Sequence, residues 1–361
     1  MEKKSLKPMS VRLLYDGMHV ADDIYDAGSA RLLAKAGTVL STRLIEAIKN
    51  HNNHKDIIYV SATVQAAMIK NECNVEVAER KQLEKETGYS EATDKVFETL
   101  NDLTQTKEIK EDKIKDVAEE LSYRVENTSP SVIVTLVSAM APVDEYLQRH
   151  CVNLSLLNGL YGKWSGLSKS KIDNLILIGL LHDCGKALIP PQILKAPRKL
   201  TISEFEVIKM HARYTYDLLE DFPEEIRLAA SCHHEKMDGS GYPRGLRNDE
   251  IPFESKVTTI TDVYDAAISR RSYKRESSPF HVLSILKSYL AGGFDPKFVD
   301  FFVYNMAKEL VDKPMEMTDG SIGITRFYEL DKIEFPTVEI NGAMVKTNEN
   351  FHCVSLFTTE D

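Results

Sequence analysis

Seven polar side chains spread through one apolar, helix-patterned region constrain this 361-residue chain more than any other feature. They are His150, the adjacent His182 and Asp183, His211, the adjacent His233 and His234, and Asp262. Each falls inside an apolar pattern or at the end of one. A lone histidine on an apolar helix is usually a hydrogen-bonded core residue. Seven such groups from separate helices of one body are another matter, because buried polar atoms need partners. A shared metal site satisfies them together. Imidazole suits Fe, Mn, Zn and Ni, and a carboxylate can bridge two such ions.

The stretch "LLHDCGK" (180–186) puts His182 and Asp183 at the end of an apolar helix, facing one cavity. Gly185 removes a side chain so that something can approach. Lys186, three residues past Asp183, shares its face if the turn stays helical. A lysine there can stabilise developing charge or protonate a leaving oxygen. In "HHEKMDGSGYP" (233–243), Asp238 is expected to fix an Asp-Gly turn, and Gly239 and Gly241 to adopt positive φ. Cys184 and Cys232, beside candidate ligands, read as small buried hydrophobes more readily than as redox groups.

Hydrophobic residues at 43% and charged residues at 28% describe an ordinary soluble globular protein. A net charge of −10 argues against duplex nucleic acid, which calls for a basic patch. The apolar runs "LILIGLL" and "VIVTLVSAMAPV" fall short of the roughly 20 residues needed to span a bilayer, so no membrane insertion is expected. Five scattered cysteines without CxxC spacing, and a start lacking an apolar signal core, point to a cytoplasmic protein with reduced thiols. Four segments are expected. Residues 1–62 read as a small β-rich domain, with Ser41 capping a short helix. Residues 63–128 read as a charged helical connector, 129–314 as a body of long helices, and 315–361 as a β-rich extension.

"HDCGK", "IPPQIL", "EFEVIKMH", "HHEKMDGSGYPRGL", "IP" at 251–252, "TDVYDA", "RRSYK" and "GGFDP" run in order over residues 145–300. This stretch resembles an HD-GYP domain, a branch of the HD phosphohydrolase superfamily. The resemblance implies a mainly α fold with an HD-type helical bundle. It also implies bacterial hydrolysis of cyclic di-GMP at a bi- or trinuclear centre, often iron or manganese. His150, His182, Asp183, His211, His233, His234 and Asp262 match the metal ligands, and Asp183 and Lys186 the catalytic pair. Gly241 and Tyr242 match the GYP element that shapes the pocket for a base, Tyr242 stacking on guanine. Arg271 and Lys274 match the basic pair that grips phosphates, a role that suits arginine's fork and lysine's point charge. Glu235 and Asp265 are expected to receive ligand imidazole N–H groups or to hold Lys186.

The sequence departs from the family pattern at three places. Trinuclear members carry a Glu four residues before the first histidine ligand; Tyr146 stands there, with Glu145 one residue off, so two divalent ions, Fe or Mn, are expected. Ser272 replaces a customary Pro, and Thr215 a customary Gly. The expected product is linear pGpG, with GMP after a second cut. Alternatives are a non-catalytic cyclic di-GMP receptor and an HD hydrolase of another cyclic dinucleotide. Dimerisation or a signalling partner would act through the N-terminal domain.

Overall fold

The computed structural model describes residues 6–10, 20, 24–25, 32–51, 57–61, 88–138, 146–196, 198–269, 278–288 and 293–356. The chain divides into two compact units, one formed chiefly by Met1–Glu79 and the other by Arg80–Ile340 with Met344–Thr358.

In the first unit, β1 (Leu6–Ser10) pairs antiparallel with β4 (Ile57–Ser61), and β2 (Ile24–Tyr25) with β3 (Leu32–Ala34). Helix α1 (Thr42–His51) begins after Ser41, whose hydroxyl accepts the Leu44 N–H at 3.3 Å. Val20, Ile24, Ala34, Leu40, Ile45 and Ile48 form a small core of their own.

The second unit is helical. Helices α2 (Tyr89–Thr106), α3 (Glu111–Asn127), α4 (Pro130–Ser138), α5 (Tyr146–Trp164) and α6 (Lys169–Leu181) lead into a 3₁₀ turn at Cys184–Leu188. Short α7 (Pro191–Leu194), α8 (Ile202–Leu218), α9 (Glu224–Ser231), α10 (Phe253–Ser269), α11 (Pro279–Ser288) and α12 (Pro296–Glu309) complete it. Local chemistry sets several ends. Thr201 and Glu204 form a reciprocal capping box at the start of α8. Asp295 caps α12 through the Lys297 N–H, with Pro296 in the first turn.

The sequence-expected connector is corrected here. Residues 63–87 lie outside the described ones. Its two long helices are not a separate linker: Tyr89, Ala92, Val96 and Leu103 of α2 and Ile114, Val117, Leu121 and Val125 of α3 join the same core as the site helices. Both carry one apolar stripe at helical spacing under a heavily charged outer face. Helices α4 and α12 were not anticipated.

The C-terminal residues form a five-stranded antiparallel sheet in the order β8-β7-β6-β5-β9. The strands are β5 (Pro314–Met317), β6 (Ile322–Phe327), β7 (Thr337–Ile340), β8 (Ala343–Lys346) and β9 (Cys353–Leu356). Asn341 and Gly342, both at positive φ, make the tight β7–β8 turn. Met315, Met317, Val338 and Leu356 bury into the helical core, so the sheet seals that body.

A buried polar knot fixes the helices that carry the site. Asn158 on α5 donates to Leu175 O of α6 and to Thr258 Oγ1 of α10, both at 3.0 Å, and accepts from Thr261 Oγ1 at 2.7 Å. Three helices are thereby locked in one register at the level of the histidines.

Two outcomes test this packing. Phe302 is fully buried, with the Tyr264 ring 5.5 Å away and the Trp164 ring 6.4 Å away. Phe302→Ala should cost about 3–5 kcal/mol in urea unfolding. Cys151, Cys184, Cys232 and Cys353 are buried free thiols, and Cys73 lies outside the described residues. Burial raises all four, Cys184 and Cys353 to about 12 and Cys232 to about 11. At pH 8 a thiol shifted to about 11 is ionised in roughly one molecule per thousand. Native protein should therefore release no more than one equivalent with a disulfide reagent, and five after denaturation.

Candidate metal centre

The site forms where α5, α6, α8, α9 and α10 present their polar residues to one cavity. Asp183 sits at its middle, in the turn between α6 and the 3₁₀ segment, and its two oxygens face different partners. Oδ2 lies 3.2 Å from His182 Nε2 and 3.8 Å from His150 Nε2. Oδ1 lies 3.5 Å from His211 Nε2 and 3.9 Å from His233 Nε2. His234 joins the second set: the donor atoms of Asp183, His211, His233 and His234 lie within 4.8 Å of one another, as do those of His150, His182 and Asp183. Asp262 Oδ1 reaches to 3.4 Å from His150 Nε2.

The backbone fixes which nitrogen faces inward. The Nδ1 atoms of His182, His211 and His233 bond the carbonyls of Gly179, Ile208 and Ala230 at 2.8, 2.6 and 2.8 Å, each three residues earlier. A carbonyl only accepts, so Nδ1 carries the proton and the Nε2 lone pair points into the cavity. Burial pushes His211 and His233 below the usual imidazole range and His234 down to about 3, which keeps them neutral. Burial disfavours charge on Asp183 too, but the Lys186 ammonium bonded to it, together with His182 and His211, outweighs that and holds the carboxyl well below the carboxylate range.

The donor set fits divalent metal. Among the described residues, His182 Nε2, His211 Nε2, His233 Nε2 and Asp183 Oδ1 are buried without a hydrogen-bond partner. Four orphaned atoms converging in one cavity would destabilise the fold with nothing between them. Neutral imidazoles and an ionised carboxylate are the forms that ligate, and Asp183 belongs to both groups.

The surrounding residues divide as follows. Asp265 Oδ2 lies 2.7 Å from His150 Nδ1. Its other oxygen accepts from Asn153 Nδ2 at 2.7 Å, a partner missed at the sequence level. Glu235 requires correction. Its carboxylate touches neither an imidazole nor Lys186; it accepts the backbone N–H groups of Arg244, Gly245 and Leu246 at 2.6–3.1 Å. It is buried under the loop after the Gly-Tyr-Pro element, whose backbone donors need an acceptor. Gly241 is also corrected: it has no positive φ, whereas Gly239 does, at 79°. A Cβ on Gly241 would lie 2.5 Å from Glu235 Cα, so glycine is needed for close approach. Asp238 forms the expected turn, accepting the Ser240 N–H at 2.9 Å.

Gly185 answers what approaches the HD turn. A Cβ there would lie 2.1 Å from His211 O, so helix α8 itself fills the space. Thr215 ties the two together: its hydroxyl accepts the Gly185 N–H at 3.0 Å and donates to His182 O at 3.1 Å. Tyr242 packs its ring 4.7 Å from that of His234, tilted by 31°, and its N–H bonds His234 O at 3.2 Å. Tyr146 opens α5, one turn before His150. Arg271, Ser272, Lys274 and Glu145 lie outside the described residues.

Residues 132–298 match the family model for the HD domain. The chain is 37% identical over 159 residues to the cyclic di-GMP phosphodiesterase response regulator RpfG of Xanthomonas campestris pv. campestris, covering 43% of this chain and 42% of that protein. It is 30% identical over 187 residues to 3'3'-cGAMP-specific phosphodiesterase 2 of Vibrio cholerae serotype O1, covering 51% and 36%. It thus spans less than half the length of either curated relative. The structure of Bd1817, an HDG"Y"P protein from Bdellovibrio bacteriovorus, aligns with a TM-score of 0.50 at 13% identity, over 84% of this chain and 99% of that one, a likeness of fold. With its His-Asp turn, its His-His-Glu segment and its Gly-Tyr-Pro loop around one cavity, the helical body of this chain is similar to HD domains over residues 132–298 and shares the fold of an HDG"Y"P protein.

Proposed function

We propose that this chain is a metal-dependent phosphodiesterase that hydrolyses cyclic di-GMP to linear pGpG. The observation that carries the reading is the Asp183 carboxylate, whose oxygens each face a separate histidine group. That arrangement suits two divalent ions, Fe or Mn, to both of which Asp183 would contribute. His150, His182 and Asp262 would hold one, and His211, His233 and His234 the other. When bound, such ions activate water and neutralise phosphate charge. The relatives' names support a cyclic dinucleotide as substrate.

The chain's own residues supply the rest. In the hydrolysis, water oxygen bonds phosphorus, the P–O3′ bond breaks, and the ribose 3′ oxygen takes a proton. Lys186 Nζ, partly exposed at the cavity and bonded to Asp183, is the group placed to steady or protonate that oxygen. Tyr242 walls the cavity beside His234 and would present its ring to a guanine. Lys209, 5.7 Å from the centre of that ring, adds positive charge on the same side. Arg271 and Lys274 would grip the phosphates.

Because three curated relatives are named as cGAMP-specific, substrate choice is the sharpest alternative. Initial rates on cyclic di-GMP and 3'3'-cGAMP, with Mn-loaded protein, decide it. The reading expects faster turnover of cyclic di-GMP to pGpG. Faster cGAMP turnover would reassign the substrate, and stoichiometric binding without turnover would mark a receptor. Asp183→Asn should lower the rate at least about 100-fold, more than loss of an outer partner of a metal ligand brings. A wild-type rate in that variant would refute the assignment.

A further inference from the structure

A buried hydrogen-bond chain enters the site from outside the stretch that matches the HD family. It starts at Tyr89, the first residue of α2, 43 positions before the match begins at residue 132. Tyr89 Oη donates to Asn153 Oδ1 at 2.6 Å. Asn153 Nδ2 donates to Asp265 Oδ1 at 2.7 Å, and Asp265 Oδ2 meets His150 Nδ1 at 2.7 Å. All four residues are buried, with Asp265 fully so. The amide of Asn153 bridges a donor and an acceptor, so its orientation is fixed by both neighbours.

His150 differs in this from the other three buried histidines. Their Nδ1 atoms rest on carbonyls of their own segments, three residues back. His150 rests on a side chain of α10, which is steadied by a side chain of α5, which accepts from a side chain of α2. Its ring orientation therefore depends on three helices. The far end of α2 reaches the site as well: Lys107 Nζ donates to Ala187 O at 2.7 Å, in the 3₁₀ turn that carries Lys186. Helix α2 thus touches both flanks of the centre through hydrogen bonds.

We propose that Tyr89 and Asn153 are positioning residues, which hold Asp265 and through it aim His150 Nε2 at the half of the site it shares with His182 and Asp183. Without the Tyr89 hydroxyl the Asn153 amide loses its anchor, Asp265 gains freedom to rotate, and the imidazole follows. Metal affinity falls at that half alone. The inference rests on the metal-centre reading for its affinity arm but not for its structural arm.

The test uses the full chain as wild type, Tyr89→Phe and Asn153→Ser. Tyr89→Phe keeps the ring over which Arg149 sits at 5.4 Å and deletes only the hydroxyl. In metal-free protein, the side-chain Nδ1–H resonance of His150, observed with ¹⁵N-labelled histidine, should shift upfield in both variants as its hydrogen bond loosens. The corresponding resonances of His182, His211 and His233 should stay in place. On titration with Mn²⁺, read by the loss of the free-ion paramagnetic signal, one binding step should weaken about three- to tenfold in Tyr89→Phe. That is less than the 10–100-fold expected for a direct outer partner of a ligand. The other step should hold within twofold. An unmoved His150 resonance, or equal weakening of both steps, overturns the proposal, because a merely structural role predicts the latter. If wild-type protein takes up no Mn²⁺, the metal-centre reading fails, and the His150 resonance still decides the relay.

Discussion

The structure around the site depends on three short contacts between imidazole Nδ1 atoms and carbonyls one turn back, at Gly179, Ile208 and Ala230. Each lies at a helix end or within a helix whose backbone is already paired. Each converts a floppy ring into a fixed donor aimed at Asp183. The rest of the helical unit keeps those helix segments in register. Asn158 clamps α5, α6 and α10. Thr215 and the missing side chain of Gly185 seat α8 against the HD turn. Glu235 collects the backbone of the loop that carries Tyr242. The result is a rigid constellation of unpartnered polar atoms, an arrangement that is favourable only with something to bind.

Most of the polar residues that meet in the cavity are legible in the sequence because their signal is chemical and local. Histidine and aspartate in apolar helical patterns are rare enough to stand out, and adjacent pairs at helix ends report a common cavity. Residues that act through the backbone were harder to place. Glu235 looks like a companion of His233 and His234 by position, yet its partners are main-chain donors nine to eleven residues on, which carry no side-chain signature. Asn153 is one more polar residue on an apolar helix, and only the fold shows that it meets Asp265 and Tyr89. Thr215 registered as a departure from pattern, but its hydroxyl bonds to Gly185 and His182 do not follow from sequence spacing.

At the level of the fold, the error with the most consequence was the connector. In α2 the charged Glu91, Asp94, Lys95, Glu98 and Asp102 interleave with the buried Tyr89, Ala92, Val96 and Leu103, so the charge suggests a connector where the apolar stripe makes a core face. Helix α12 had a readable signal: Asp295 as cap, Pro296 in the first turn, and apolar residues at 299, 302, 303 and 306. Placing α2 in the core changes the functional picture as well as the architecture. It brings Tyr89 and Lys107 within hydrogen-bond reach of both flanks of the site.

The central claim is that these orphaned donors exist to hold metal. Elemental analysis of the full chain, purified without oxygen or chelator, tests it most directly. The account predicts close to two equivalents of iron or manganese per chain, falling to about one in His182→Ala. Wild-type protein carrying less than a tenth of an equivalent of any divalent metal, and taking up none on dialysis against excess Mn²⁺, would contradict it.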